Sequence, residues 1–247
     1  MTKYLSEAAA FDFEELQAET REIAGCSCVQ EAAQKFVEIV YGRFSESLVL
    51  LRLFITERYD RLPQDDRRFV DERGRVTNTG HLIHGATPIF TLLGTRGARL
   101  EWNDRRESQR FRCIPLASTS FVASLSMLSR QFESVGLGLD VIDEWEYRVT
   151  ATGRADGYRG MLHIKDSAAD RDLQGRLIVP MQDFVAENGV KTTLGFGSGY
   201  ESFPALVTLF AFTNEYIAPA AVKPMATLLD LYISDTKELV KQGRVFS

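Results

Sequence analysis

Ala33, Phe36, Val37, Val40, Tyr41 and Phe44 recur at the spacing of one helical face, with polar residues filling the other side. SCVQ, just before them, fits a capping box with Ser27 as N-cap and Gln30 at the third helical position. An earlier helix is predicted over FDFEELQAETREIA, residues 11–24, with Gly25 as its stop. LVLLRLFI (48–55) is a short run of branched residues that reads as a buried strand, and TPIFTLLG (87–94) reads as a second. Helical spacing returns in SFVASLSMLSRQFESVG (120–136) through Phe121, Leu125, Leu128, Phe132 and Val135, with Ser120 as cap and Gly136 as stop.

From Glu144 to Val149 polar and apolar residues alternate, and GRADG then turns the chain into YRGMLHIKD, so a hairpin is expected. RLIVPMQDFV, VKTTLGFG and ALVTLFAF follow as strand candidates. A closing helix carries Met225, Leu228, Leu229, Tyr232, Thr236 and Leu239 on one stripe, and Pro224 suits its first turn. No segment repeats another and no linker divides the chain. The pattern is that of a single α+β domain, with a mainly antiparallel central sheet flanked by N- and C-terminal helices. Residues 1–29 form a helical extension and 30–247 the domain proper.

Gly195, Gly197 and Gly199 in KTTLGFGSGYESFP alternate as in a phosphate loop. Such a loop must feed a helix, whose free N–H groups and dipole hold the anion. ALVTLFAF reads as a strand, so the nucleotide fingerprint fails on context. The glycines are expected to turn the chain between adjacent strands, with positive φ angles or close backbone approach.

The order of helix, LVLLRLFI strand, intervening helix, GMLHIKD, VKTTLGFG and ALVTLFAF strands and amphipathic closing helix resembles a GAF-type sensor domain. NEYIAPAAVKP then looks like the lead into the GAF C-terminal helix. The resemblance spans roughly residues 30–240 and implies a small-molecule-sensing or regulatory role without an attached output domain, exerted on a separate signalling protein. The charged stretch 57–75 and RLEWNDRRESQRFR (99–112) lengthen the usual plan, and the Cys and His residues that tether bilins in some relatives are not evident.

Charge narrows the partners. The net charge is -5, and ERYDRLPQDDRRFVDERGR (57–75) holds six acids against six arginines, which reads as a self-neutralising solvated face. Nucleic acid is therefore not expected as a partner. The N-terminus lacks a signal-peptide pattern and no window suits a membrane span, so a cytoplasmic protein without a membrane partner is expected. Exposed apolar positions of the closing helix, through Leu239 and Val240, suggest a homodimer.

The most specific polar cluster is WNDRRESQRFRC (102–113), which joins an aromatic ring, carboxylates and four arginines. Arginines there can clamp an anion and Trp102 can stack on a planar ligand. Trp102, Asp104, Arg105, Arg106 and Cys113, with Phe196 on the sheet, are the candidate ligand-binding residues. No cofactor is identified. His81, His84 and His163 lack a neighbouring set of metal ligands, and catalytic residues are unknown. The alternative is a cysteine-dependent redox or covalent enzyme on the same fold, using Cys28 or Cys113, while Cys26 and Cys28 also fit as small semi-buried residues.

Overall fold

A computed structural model describes residues 2–145, 158–201 and 203–247. Six strands form one sheet: β1 (Leu48–Arg58), β2 (Pro88–Gly97), β3 (Cys113–Pro115), β4 (Arg159–Ile164), β5 (Thr192–Gly199) and β6 (Leu206–Thr213). Their order is β3-β2-β1-β6-β5-β4, and every neighbouring pair is antiparallel. The α+β class expected from the sequence is the class observed. The expected alternation beyond Trp145 and the GRADG turn lie outside the described residues.

Because strand side chains alternate, β1 serves two cores at once. Leu51, Leu53 and Ile55 join one core, together with Phe36, Val37 and Val40 of α2 (Val29–Arg43) and Met225, Leu228 and Tyr232 of the closing helix. Leu50 and Phe54 join the other, together with Leu128 and Phe132 of the helices over the opposite face. One register shift between Leu53 and Phe54 makes Leu93 an extra residue on β2 and keeps both faces apolar beyond it. Leu16 of α1 (Ala10–Thr20) and Ile23 pack into the first core, so the N-terminal helices share it.

Several elements depart from the sequence reading. The N-cap of α2 is Cys28, whose Sγ accepts from the Glu31 amide, while Glu31 reaches back to the amide and hydroxyl of Ser27. The capping logic is the expected one, shifted by a residue. The charged run contains α3 (Gln64–Val76), which buries Asp66 and Val70 and keeps the rest of its charge at exposed or half-buried positions. The segment 120–136 breaks at Leu125 into α4 (Thr119–Ser124), capped by Ser118, and α5 (Ser126–Ser134), and Gly136 ends it at φ 81°. RLIVPMQDFV is not a strand: Leu177 makes one isolated bridge and the segment ends in the short helix α6 (Gln182–Glu187). The closing helix, α7 (Pro219–Lys241), starts at Pro219 and carries Pro224 inside. Leu239 and Val240 pack partly against the core of their own chain.

The glycine triplet lies within β5 and has no positive φ. A Cβ on Gly195 would overlap the Gln131 amide, one on Gly197 would overlap Val135, and one on Gly160 of β4 would overlap the backbone of Ser134. These glycines let α5 lie directly on the sheet. Replacing Gly160 with Ala is expected to cost about 1–3 kcal/mol, the usual penalty of overpacking. Gly42→Ala, on an open face of α2, should be neutral or stabilising by up to about 1 kcal/mol. Urea denaturation of the two variants checks this, and equal midpoints would refute the close seating of α5.

Candidate functional site

Where α5 does not cover the second face of the sheet, the structure holds a cavity of ≈ 550 Å³. Its floor is Leu50, Arg52 and Phe54 of β1, Phe90 of β2, and Phe210 and Phe212 of β6. Leu125, Met127 and Leu128 close one side, Pro180–Phe184 another, and Glu101, Trp102 and Glu107–Phe111 a third. Phe54 and Phe90 stack at 4.6 Å with 6° between their planes, and Phe210 meets both edge-on. Ring contacts of this kind hold the floor together at about 0.5–1.5 kcal/mol per pair beyond the area they bury.

Trp102 is placed by several contacts. Its carbonyl accepts from the Thr95 hydroxyl at 2.8 Å, and Asn103 Oδ1 accepts from the Gly97 amide at 2.8 Å. Gly97 gives the indole its room, since a Cβ there would stand 2.7 Å from the ring. Arg99 lies over the indole at 5.1 Å, and Phe184 packs edge-on to it at 5.5 Å. Phe184 in turn meets Phe212 at 5.3 Å, so an unbroken run of rings links the rim to the floor.

The remaining sequence candidates fall elsewhere. Arg105 is buried, with 8% exposure: its Nε donates to the Leu92 carbonyl at 2.6 Å and its Nη2 to Asp66 at 2.5 Å. Arg112 reaches the other oxygen of Asp66 at 2.6 Å and lies over the Phe69 ring at 5.7 Å. This buried triad ties α3 and the 102–112 segment to the sheet. Arg106 is exposed and pairs with Asp104 at 3.1 Å, which holds the Asp104 carboxyl below its usual range chiefly through that hydrogen bond. Phe196 sits in the first core, on the opposite face of the sheet from the cavity. Of the six candidates, Trp102 lines the cavity, whereas Asp104, Arg105 and Arg106 fall between the lining residues Trp102 and Glu107 without lining it themselves.

None of the cysteines lines the cavity. Cys113 is buried on β3, where desolvation and then Asp66 push its thiol well up, and burial also raises Cys26. His163 Nε2 bonds to the Ile217 carbonyl at 2.7 Å. Among the described residues no cluster of three or more His, Cys, Asp or Glu could hold a metal, and no helix is long and apolar enough to cross a membrane.

Sequence reasoning passed over Arg52. It sits in the middle of LVLLRLFI at the same parity as Leu50 and Phe54, so the alternation of a strand already places it on their face. Its Nε is buried and has no hydrogen-bond partner, and desolvation pushes the guanidinium down to about 10.

No protein-family model and no curated protein matches the sequence. Solved structures are similar along nearly the whole chain. They include the GAF domain of an Acinetobacter phosphoenolpyruvate-protein phosphotransferase, with 10% identity, TM-score 0.49 and coverage of 95% of this chain and 97% of that one. Another is free methionine-R-sulfoxide reductase from Neisseria meningitidis, solved with its substrate, with 8% identity, TM-score 0.48 and 98% coverage of both chains. A phycoerythrobilin-bound GAF domain of a cyanobacterial phytochrome gives 8%, 0.42, and 94% and 95% coverage. The fold is GAF-like, as its own strand order and helix placement display. At these identities and TM-scores the likenesses carry nothing about ligand or chemistry.

The triad and the exposed pair should respond differently to mutation. Arg105→Ala leaves Asp66 short of one partner in a buried site and is expected to cost about 3–5 kcal/mol. Arg106→Ala should cost less than about 1 kcal/mol, as for a surface pair. Chemical denaturation measures both, and a small loss for Arg105→Ala would remove the triad from its anchoring role.

Proposed function

We propose that the protein is a regulatory sensor domain that holds a small molecule in the cavity between the sheet and the 101–111 and 180–184 segments. The observation that supports this is the cavity itself. Its ≈ 550 Å³ falls within the range of small-molecule sites, and its floor is apolar and aromatic with a single charged side chain. Both walls belong to irregular segments and short helices, which can shift when a ligand favours one arrangement. A separate signalling protein would read that shift. Cysteine chemistry is the less supported reading, because all three thiols are buried and none lines the cavity. The cytoplasm remains the proposed location.

Filling the cavity tests the reading. The neutral fluorophore N-phenyl-1-naphthylamine should bind the wild type at micromolar concentration, a typical range for an apolar ligand of this size. Met127→Trp places an indole in the cavity and should weaken the dye at least about tenfold, or about 1.4 kcal/mol, with little change in melting temperature. Equal binding by both proteins would place the dye elsewhere and defeat the proposal.

A homodimer through the terminal helices belongs to the same proposal, with Phe11 of α1 63% exposed there. Light scattering at about tens of micromolar, where weak assemblies form, should give twice the chain mass. A monomer mass would remove it.

A further inference from the structure

We infer that the cavity selects a monoanionic ligand with an apolar body, of the carboxylic acid class, and that Arg52 is the residue that recognises its acid group. This rests on the cavity being the ligand site. Three observations carry it. Arg52 is the charged residue of the cavity floor, flanked on its own face of β1 by Leu50 and Phe54 and across β6 by Phe210 and Phe212. Its side chain has no hydrogen bond or ion pair with any described residue, and its Nε is shut off from solvent. A guanidinium in such a setting offers a planar fork of donors, which matches the two oxygens of a carboxylate.

The surroundings set the number of charges. Glu101, Glu107 and Asp183 line the cavity from exposed positions, and Arg110 is the cation among them. A ligand with one negative charge satisfies Arg52 and leaves an uncharged body among the rings. A di- or triphosphate would bring further charge against the three carboxylates, where like charges repel. Arg52 as a whole is half-buried and its Nε is fully shut off, so water competes for the guanidinium less than it would on an exposed surface.

Two dyes that share one skeleton separate the charge from the cavity. 8-Anilinonaphthalene-1-sulfonate is the anionic counterpart of N-phenyl-1-naphthylamine, differing by the sulfonate. Fluorescence titration of the wild type, Arg52→Met and Arg52→Gln should show the anionic dye weakened at least about tenfold by either substitution, the loss expected for a charge-assisted hydrogen bond. The neutral dye should bind all three proteins alike, or Arg52→Met more tightly. Two variants guard against a folding defect, and retained neutral-dye binding certifies each. Decanoate should displace the anionic dye from the wild type more strongly than decan-1-ol does, and that preference should vanish in Arg52→Met. If the neutral dye binds but the anionic dye and decanoate ignore Arg52, the charge inference is overturned and the cavity reading survives. If neither dye binds the wild type, the cavity reading fails and takes this inference with it.

Discussion

How closely a cover can approach the sheet decides where this protein is solid and where it is hollow. Over β4 and β5 the sheet presents glycine, and α5 descends until Ser134, Val135 and Gln131 touch the strand backbone. Over β1, β2 and β6 it presents Phe54, Phe90, Phe210 and Phe212, whose rings hold the cover away. The cavity lies where the small residues of that sheet face give way to the large ones.

The outer wall needs its own support, since 99–112 has no long helix or strand of its own. Asp66 supplies it by accepting from two arginines while fully buried, with the Leu92 carbonyl taking a further donor of Arg105. Ion pairs of this kind add little net stability against an apolar substitute, yet they fix geometry because breaking one strands a charge. Here the geometry fixed is the position of Trp102 and of 107–111 beside the cavity. α3, which begins in a run of balanced charge, exists in part to deliver one carboxylate.

Local periodicity carried most of the fold. The helices around Phe36 and Tyr232 announce themselves by spacing, and the strands at 48–58, 88–97 and 206–213 by short runs of apolar, branched and aromatic residues. What stayed hidden depended on partners distant in sequence. RLIVPMQDFV has strand composition, yet among the described residues its ladder is one isolated bridge, Arg171 with Leu177. The glycines of β5 look like a turn until α5 is placed over them. In WNDRR, Arg105 and Arg106 are indistinguishable as sequence, and only Asp66, 39 residues earlier, draws one inward. Arg52 was the legible exception: simple counting places a charge at core parity within an apolar strand on the same face as Leu50 and Phe54.

That charge, half-buried with its Nε shut off, has few ways to make up for the water it has lost. A buried lysine or carboxylate can shed its charge, but a guanidinium held at about 10 remains protonated at neutral pH. Pairing within the protein is the usual remedy, and the same fold shows it twice at Asp66 with Arg105 and Arg112. The carboxylates nearest the cavity stand on its exposed walls, where water screens them and their own side-chain freedom opposes a fixed pair. An apolar residue at position 52 would extend the ring-lined floor and avoid the desolvation altogether. The strand instead places a permanent, half-buried cation on the floor of the cavity, within reach of what enters there, and this ties the chemistry of the site to the alternation of a single strand.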